Sequence, residues 1–174
     1  MANNAIESVL KYPAVSRVRR NHGLEHATLH ILSQRNLKRP LAGHSDTRGF
    51  WVLGDVPTEE VQSAVEEAMQ RLEGGERHLA VHPNCGTNFA TAGILAGLAA
   101  FIALFGAGQR FRDRLERLPL AATLATLALI VSQPLGMMLQ ERVTTSGQLG
   151  SLRLVKITPS RRGRIRAHRV VTEG

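Results

Sequence analysis

Two blocks of this 174-residue chain carry no charge: Asn88 to Gly108, NFATAGILAGLAAFIALFGAG, and Leu118 to Gln140, LPLAATLATLALIVSQPLGMMLQ. A helix needs about 20 apolar residues to cross a hydrocarbon core of about 30 Å, and both blocks reach that length. A soluble domain of this size has little room to bury two such helices, so the pattern predicts a membrane protein. Only residues 109–117 join the blocks, which makes an antiparallel transmembrane hairpin the expected arrangement. Gly93 and Gly97, with Ala92, Ala96 and Ala100 beside them, form a small-xxx-small pattern that would bring the helices close together. Thr123, Ala125, Thr126 and Ala128 offer small side chains on the second helix. Pro134 is expected to kink that helix or end its regular part early.

A hairpin returns the chain to the side it left. The C-terminal segment carries Arg153, Lys156, Arg161, Arg162, Arg164, Arg166 and Arg169, so the positive-inside rule places both termini in the cytoplasm. The connecting loop is basic too, with Arg110, Arg112, Arg114 and Arg117 set against Asp113 and Glu116. The formal charge of +8 must find anionic company, and lipid or nucleic acid are the usual candidates. No aromatic platforms stand between the basic residues of the tail, which disfavours nucleic acid and favours anionic lipid at the membrane surface. Homo-oligomerisation is left open. Cys85 is the single cysteine, so no intrachain disulfide can form. The start of the chain, MANNAIESVLKYP, lacks the apolar core of a signal peptide.

The polar parts read as a small α+β cytoplasmic domain, making the whole chain mainly α. Pro13 suits the first turn of a helix running from Ala14 to about Gln34. On a 100° wheel, Val15, Val18, Glu25, His26 and Leu29 fall within about 60° of His22, while Leu24 and Ile31 lie opposite. That helix is expected to be buried on both sides. Turn signals between Pro40 and Val56 surround the β-prone run Phe50–Leu53 and predict a hairpin. Thr58 is expected to cap a helix that carries Val61, Ala64, Val65, Ala68, Met69 and Leu72 at helical spacing and stops at Gly74-Gly75. Leu152–Thr158, a turn at Ser160–Gly163 and Arg164–Val171 predict a second hairpin. The domain organisation read from this is 1–87 polar, 88–140 membrane and 141–174 a basic β-hairpin tail.

Two short motifs carry chemistry. The first is His22-Gly-Leu-Glu25-His26, followed by Thr28 and His30. Histidines four apart on a helix present their rings to one point, which suits a single divalent metal ion. The glutamate beside them can orient or deprotonate water there. The order His-x-x-Glu-His inverts the usual metalloprotease signature. The second is His82-Pro-Asn-Cys85-Gly-Thr-Asn88, immediately before the first apolar block, where histidine and cysteine three apart in a Pro/Gly turn can share a metal. Asn88 or Thr87 is expected to cap the helix that follows. His22, His26, His82 and Cys85 are therefore the candidate ligands of zinc or a similar ion, and Glu25 is the candidate general base. His30 lies at the edge of the stripe. His78 and the hairpin residues His44 and Asp46 read better as solvated.

The pair HGLEHAT and HPNCGTNF, the second running straight into an apolar helix, resembles the YqhQ-type bacterial membrane proteins. The match covers His22, Gly23, Glu25, His26, Thr28, His82, Pro83, Cys85, Gly86, Thr87 and Phe89. The whole chain looks more like a smaller, related domain-of-unknown-function family with a short hairpin around GHSDTRGFWVLGDV. The resemblance implies a metal-dependent enzyme without an established reaction. The expectation is a membrane-anchored metal-dependent hydrolase acting on a peptide or a lipid-borne group. Its rival is a scaffold or assembly factor in which all four ligands close a structural site. A weaker third reading is an RNA- or ribosome-associated membrane protein that works through the basic tail.

Overall fold

The computed structural model describes residues 2–35, 40–108 and 110–174, which divide into two compact units. One comprises residues 1–82 with 141–174, and the other residues 83–140.

In the first unit, α1 (Ala2–Lys11) leads to α2 (Pro13–Arg35), which Pro13 opens as expected. Strands β1 (Ala42–Asp46) and β2 (Gly49–Leu53) form a tight hairpin, and α3 (Thr58–Glu73) follows. A 3₁₀ turn, Arg77–Ala80, closes this half. Strands β3 (Arg153–Arg162) and β4 (Ile165–Glu173) come after the other unit in sequence. The sequence predicts two separate hairpins, whereas the structure joins them into one antiparallel sheet of order β1-β2-β4-β3. The seam is β2 against β4, pairing Phe50 with Val170 and Val52 with His168. All four of these side chains are buried.

α2 and α3 pack together, and each also touches the sheet. From α3 come Val61, Ala64, Val65, Ala68 and Leu72, spaced for one helical face. From α2 come Leu24, Ala27, Ile31 and Leu32, which join the same cluster. Asn21 of α2 is fully buried because the sheet satisfies it. Its amide donates to the Asp46 carbonyl at 2.8 Å, and Thr172 Oγ1 donates to its Oδ1 at 2.7 Å.

Two local expectations change. Thr58 does not cap α3; Pro57 holds that position, and no side chain caps the helix. Thr58 instead turns its hydroxyl to His168 Nε2, 3.1 Å away. Ser160, Arg161 and Arg162 lie within β3, because Gly163 at φ +61° opens a loop of only two residues.

In the second unit, α4 (Gly86–Leu104), the short α5 (Phe111–Glu116) and α6 (Leu118–Leu139) form a hairpin. The start of α4 meets the end of α6, where Gln140 Nε2 donates to Asn88 Oδ1 at 2.7 Å. The far ends meet through Arg117, which donates to the carbonyls of Ala103 and Phe105 and so satisfies the end of α4. The helices therefore run antiparallel. Both are long and apolar enough to cross a membrane. Gly93 and Gly97 do not make their contact, since a Cβ built on either meets nothing within 4 Å. The close approach is at Gly136, where a Cβ would stand 2.4 Å from Asn88 Oδ1. Pro134 does not end α6 early; the helix runs on to Leu139 and then widens into a π turn, Gln140–Thr144. The hydroxyls of Thr91, Thr123 and Thr126 bond carbonyls one turn back, so the helices carry polar groups already satisfied.

Candidate metal centre

The site is built on α2. His22 and His26, one turn apart, bring their ring centroids to 4.4 Å in an edge-on arrangement. Each ring is aimed by a backbone carbonyl. His22 Nδ1 lies 3.0 Å from the Thr144 carbonyl and His26 Nδ1 lies 2.8 Å from the Ala80 carbonyl. A carbonyl can only accept, so in both rings the proton sits on Nδ1 and the lone pair on Nε2. This is the arrangement that metal-binding histidines adopt, with the second nitrogen tied down and the first made more basic.

The chain has to bring those carbonyls in. Leu79 and Ala80, buried in the 3₁₀ turn, hold one of them in place. The other belongs to a segment strapped along α2. Arg19 donates to the carbonyls of Arg142 and Thr145, Arg20 donates to that of Leu149, and Ser146 N–H donates to the Arg19 carbonyl. Gly23 permits this approach, since a Cβ there would stand 2.2 Å from the Ser146 carbonyl oxygen. The glycine of the HGLEH motif is thus explained by packing. The arginines also have an unexpected use, because Arg17, Arg19 and Arg20 serve carbonyls of their own chain rather than an external anion.

His82 and His30 extend the cluster. The His82 ring lies 5.7 Å from that of His26 and 4.7 Å from that of His30. His30 Nε2 donates to the Val81 carbonyl at 2.9 Å, which leaves its lone pair on Nδ1. Burial, with the neighbouring His30 and His26, pulls His82 down to about 4. His82 is thereby kept neutral, the form in which imidazole binds metal. His78 is exposed, as expected, and so is His44.

Glu25 is buried at 4% exposure on the same helix. Ser45 of β1 donates its hydroxyl to Oε2, and the missing side chain of Gly43 makes room for the carboxyl group. Burial raises the pKa of Glu25, opposed by the Ser45 hydrogen bond and the charges of His22 and His44. Ser45 was not singled out by sequence, and neither were the two carbonyls. Only Gly23 and Gly43 hint at close approaches there.

Cys85 itself is the N-cap of α4, in place of the expected Thr87 or Asn88, and its Sγ accepts from the Thr87 N–H at 3.5 Å. Asn88 instead donates to the Pro83 carbonyl, which braces the turn that carries the cysteine. The donor set suits a borderline-soft divalent ion, combining two pre-oriented imidazoles with one thiol. His22, His26 and Cys85 make a His/Cys cluster that could hold a metal ion.

The family described as a domain of unknown function, DUF6391, matches residues 17–157. The chain belongs to that family. In this DUF6391 chain the match takes in both motifs and both apolar helices and ends within β3. An uncharacterized protein of Picosynechococcus sp. is 32% identical over 143 residues, 74% of this chain and 66% of that protein. The chain therefore spans just under two thirds of that relative's length. No solved structure matches the chain. The expectation of a small domain-of-unknown-function family agrees with these findings. The YqhQ-type likeness rests on the two motifs alone.

Proposed function

We propose that this DUF6391 protein is a membrane-anchored, metal-dependent hydrolase. His22, His26 and Cys85 hold a zinc-type ion, and Glu25 is the general base. The observation that carries the metal reading is the pair of carbonyl bonds that fix the Nε2 lone pairs of His22 and His26 on one helix face. Cys85 follows His82 by three residues, and the chain between them spans at most about 10 Å, which keeps the thiol within reach of the histidine motif. A divalent ion bound there would supply Lewis acidity toward a carbonyl or phosphoryl oxygen. Three protein ligands leave one position open, which is the arrangement of catalytic rather than structural zinc sites. Glu25, held by Ser45 at the edge of the sheet, takes a proton from attacking water, and its raised pKa brings it nearer to neutral operation. The substrate class suggested by a motif that runs straight into an apolar helix is a peptide or lipid-borne ester at the bilayer surface.

The membrane reading is supported by two long apolar helices. β2 and β4 pair across the sequence position of the hairpin, which requires an even number of crossings between them. The basic tail then favours cytoplasmic placement of both flanks and contact with anionic headgroups. A scaffold with a closed shell is the second reading, favoured by the His82 ring beside His26, where it could serve as a fourth ligand.

Full-length protein purified in detergent without chelator should contain one metal ion per chain, and His26→Ala or Cys85→Ala should lose it. After cobalt substitution, a hydroxamate should shift the visible absorption of the open site, and Glu25→Gln should keep the metal. An unchanged spectrum would select the scaffold, and absence of stoichiometric metal would end both readings.

A further inference from the structure

The first turn of α3 and the end of the β3–β4 hairpin line a cleft of about 510 Å³, walled by Thr58, Pro159, Ser160, Arg161, Arg166 and His168. None of these residues belongs to the metal centre. Arg161 and Arg166 are directly opposed across the strands, so two guanidinium groups project from one place. Like charges directly opposite each other destabilise a sheet. The Asp55 carboxylate approaches Arg166 at 3.4 Å, and the pair is largely exposed. The adjacent end of α3, a helix of 16 residues, is capped by Pro57, whose side chain has nothing to offer the first-turn amides. Such an end favours anions.

His168 supplies an independent sign. It is 1% exposed, its Nε2 faces the Thr58 hydroxyl, and its Nδ1 makes no hydrogen bond with any described residue. Whichever way the Thr58 hydrogen bond runs, Nδ1 is left as a buried ring nitrogen with no partner among the described residues, in a side chain that lines the cleft. Buried polar atoms without a partner are rare, and each calls for an explanation. Glu59 and Glu60 also lie in the first turn and oppose an anion, but neither lines the cleft, whereas both arginines do. A second cleft of about 680 Å³ shares Arg161 and Arg166 and adds the apolar side chains of Leu41, Leu53 and Ile165.

We infer that this cleft binds a phosphate group, with the neighbouring apolar wall taking the body that carries it. Two guanidinium groups and helix amides, beside the His168 ring, match the several acceptor oxygens of a phosphate better than the two of a carboxylate. The inference is independent of the metal reading. The same chemistry is offered by a soluble phosphate ester and by a phospholipid headgroup, and the experiment separates them.

The full chain in neutral detergent is titrated with inorganic phosphate while the histidine ring signals are followed by NMR, with His168→Asn assigning the relevant one. In parallel, the chain is placed in phosphatidylcholine nanodiscs with and without phosphatidic acid. The His168 signal should move saturably in at least one arm. In Arg161→Gln/Arg166→Gln the apparent affinity should fall at least about tenfold, a loss of about 1.4 kcal/mol, while Arg153→Gln should leave it intact. The remaining histidine signals report whether each variant stays folded. A response to inorganic phosphate points to a soluble ester, and a response to phosphatidic acid alone points to a headgroup. Silence in both arms, or an equal response in the double variant, overturns the inference.

Discussion

Helix α2 buries Asn21, Glu25, His26 and Thr28, whereas α4 leaves Ile94, Leu98 and Phe101 exposed. Each helix inverts the rule that water imposes on the other. α2 can afford polar burial because each of those groups has a partner: Asn21 the sheet, Glu25 Ser45, His26 the Ala80 carbonyl and Thr28 the Leu24 carbonyl. For α4, Leu98 at 53% and Phe101 at 62% exposure would be a penalty in water and none in hydrocarbon. The difference teaches that burial alone does not identify the inside of this protein.

The comparison breaks most sharply at Leu98. Leu98→Arg should cost about 3 kcal/mol of membrane insertion if α4 faces lipid, and almost nothing if it faces water. Insertion of the α4–α6 hairpin into microsomes, read by glycosylation of engineered sites, would distinguish the two. Normal insertion of the variant would remove lipid from the account of α4.

On the other side of the comparison stands Asn21. Asn21→Ala should lower stability by about 2 kcal/mol, since it leaves the Thr172 hydroxyl and the Asp46 carbonyl without their partner. Chemical denaturation of the full chain, followed by the fluorescence of Trp51, measures this. A loss below about 0.5 kcal/mol would mean that the polar interior of α2 is not held by its hydrogen bonds.

The smallest effect is one of pH. Burial lowers the pKa of His168, reinforced by Arg166 and opposed by Glu59. Its unfolded value is about 6.5. In the window between the folded and unfolded values the unfolded chain binds the extra proton. Stability is therefore complete above about pH 6.5 and is lost as pH falls through that value toward the folded one. His82 titrates with the same sign, so the informative quantity is the difference between wild type and His168→Asn. Melting curves between about pH 8 and pH 5 should be flatter for the variant, and parallel curves would contradict the shift.

Much of this architecture is legible in the residues. The two apolar helices announce themselves by length without charge, α2 by Pro13 and its spacing, and α3 by its stop at Gly74-Gly75. What is not legible is the seam between Phe50 and Val170, because each strand alternates normally without it and nothing local marks the pairing partner. The failure of Gly93 and Gly97 as a contact has a similar cause. Small residues permit close approach, but it is Asn88 reaching into Gly136 that sets which face meets which. At the candidate metal centre, His22 and His26 follow from helical spacing. The carbonyls of Thr144 and Ala80 could not be foreseen, since every residue carries one and only the fold selects which is delivered.

The β2–β4 seam also imposes an order of events during synthesis. β2 leaves the ribosome more than a hundred residues before the strand that covers it. In that interval both long apolar helices are synthesised while Phe50 and Val52 wait beside an unpaired backbone edge. Slowing translation within residues 86–139 would prolong its exposure to aggregation and proteolysis without altering a single native contact.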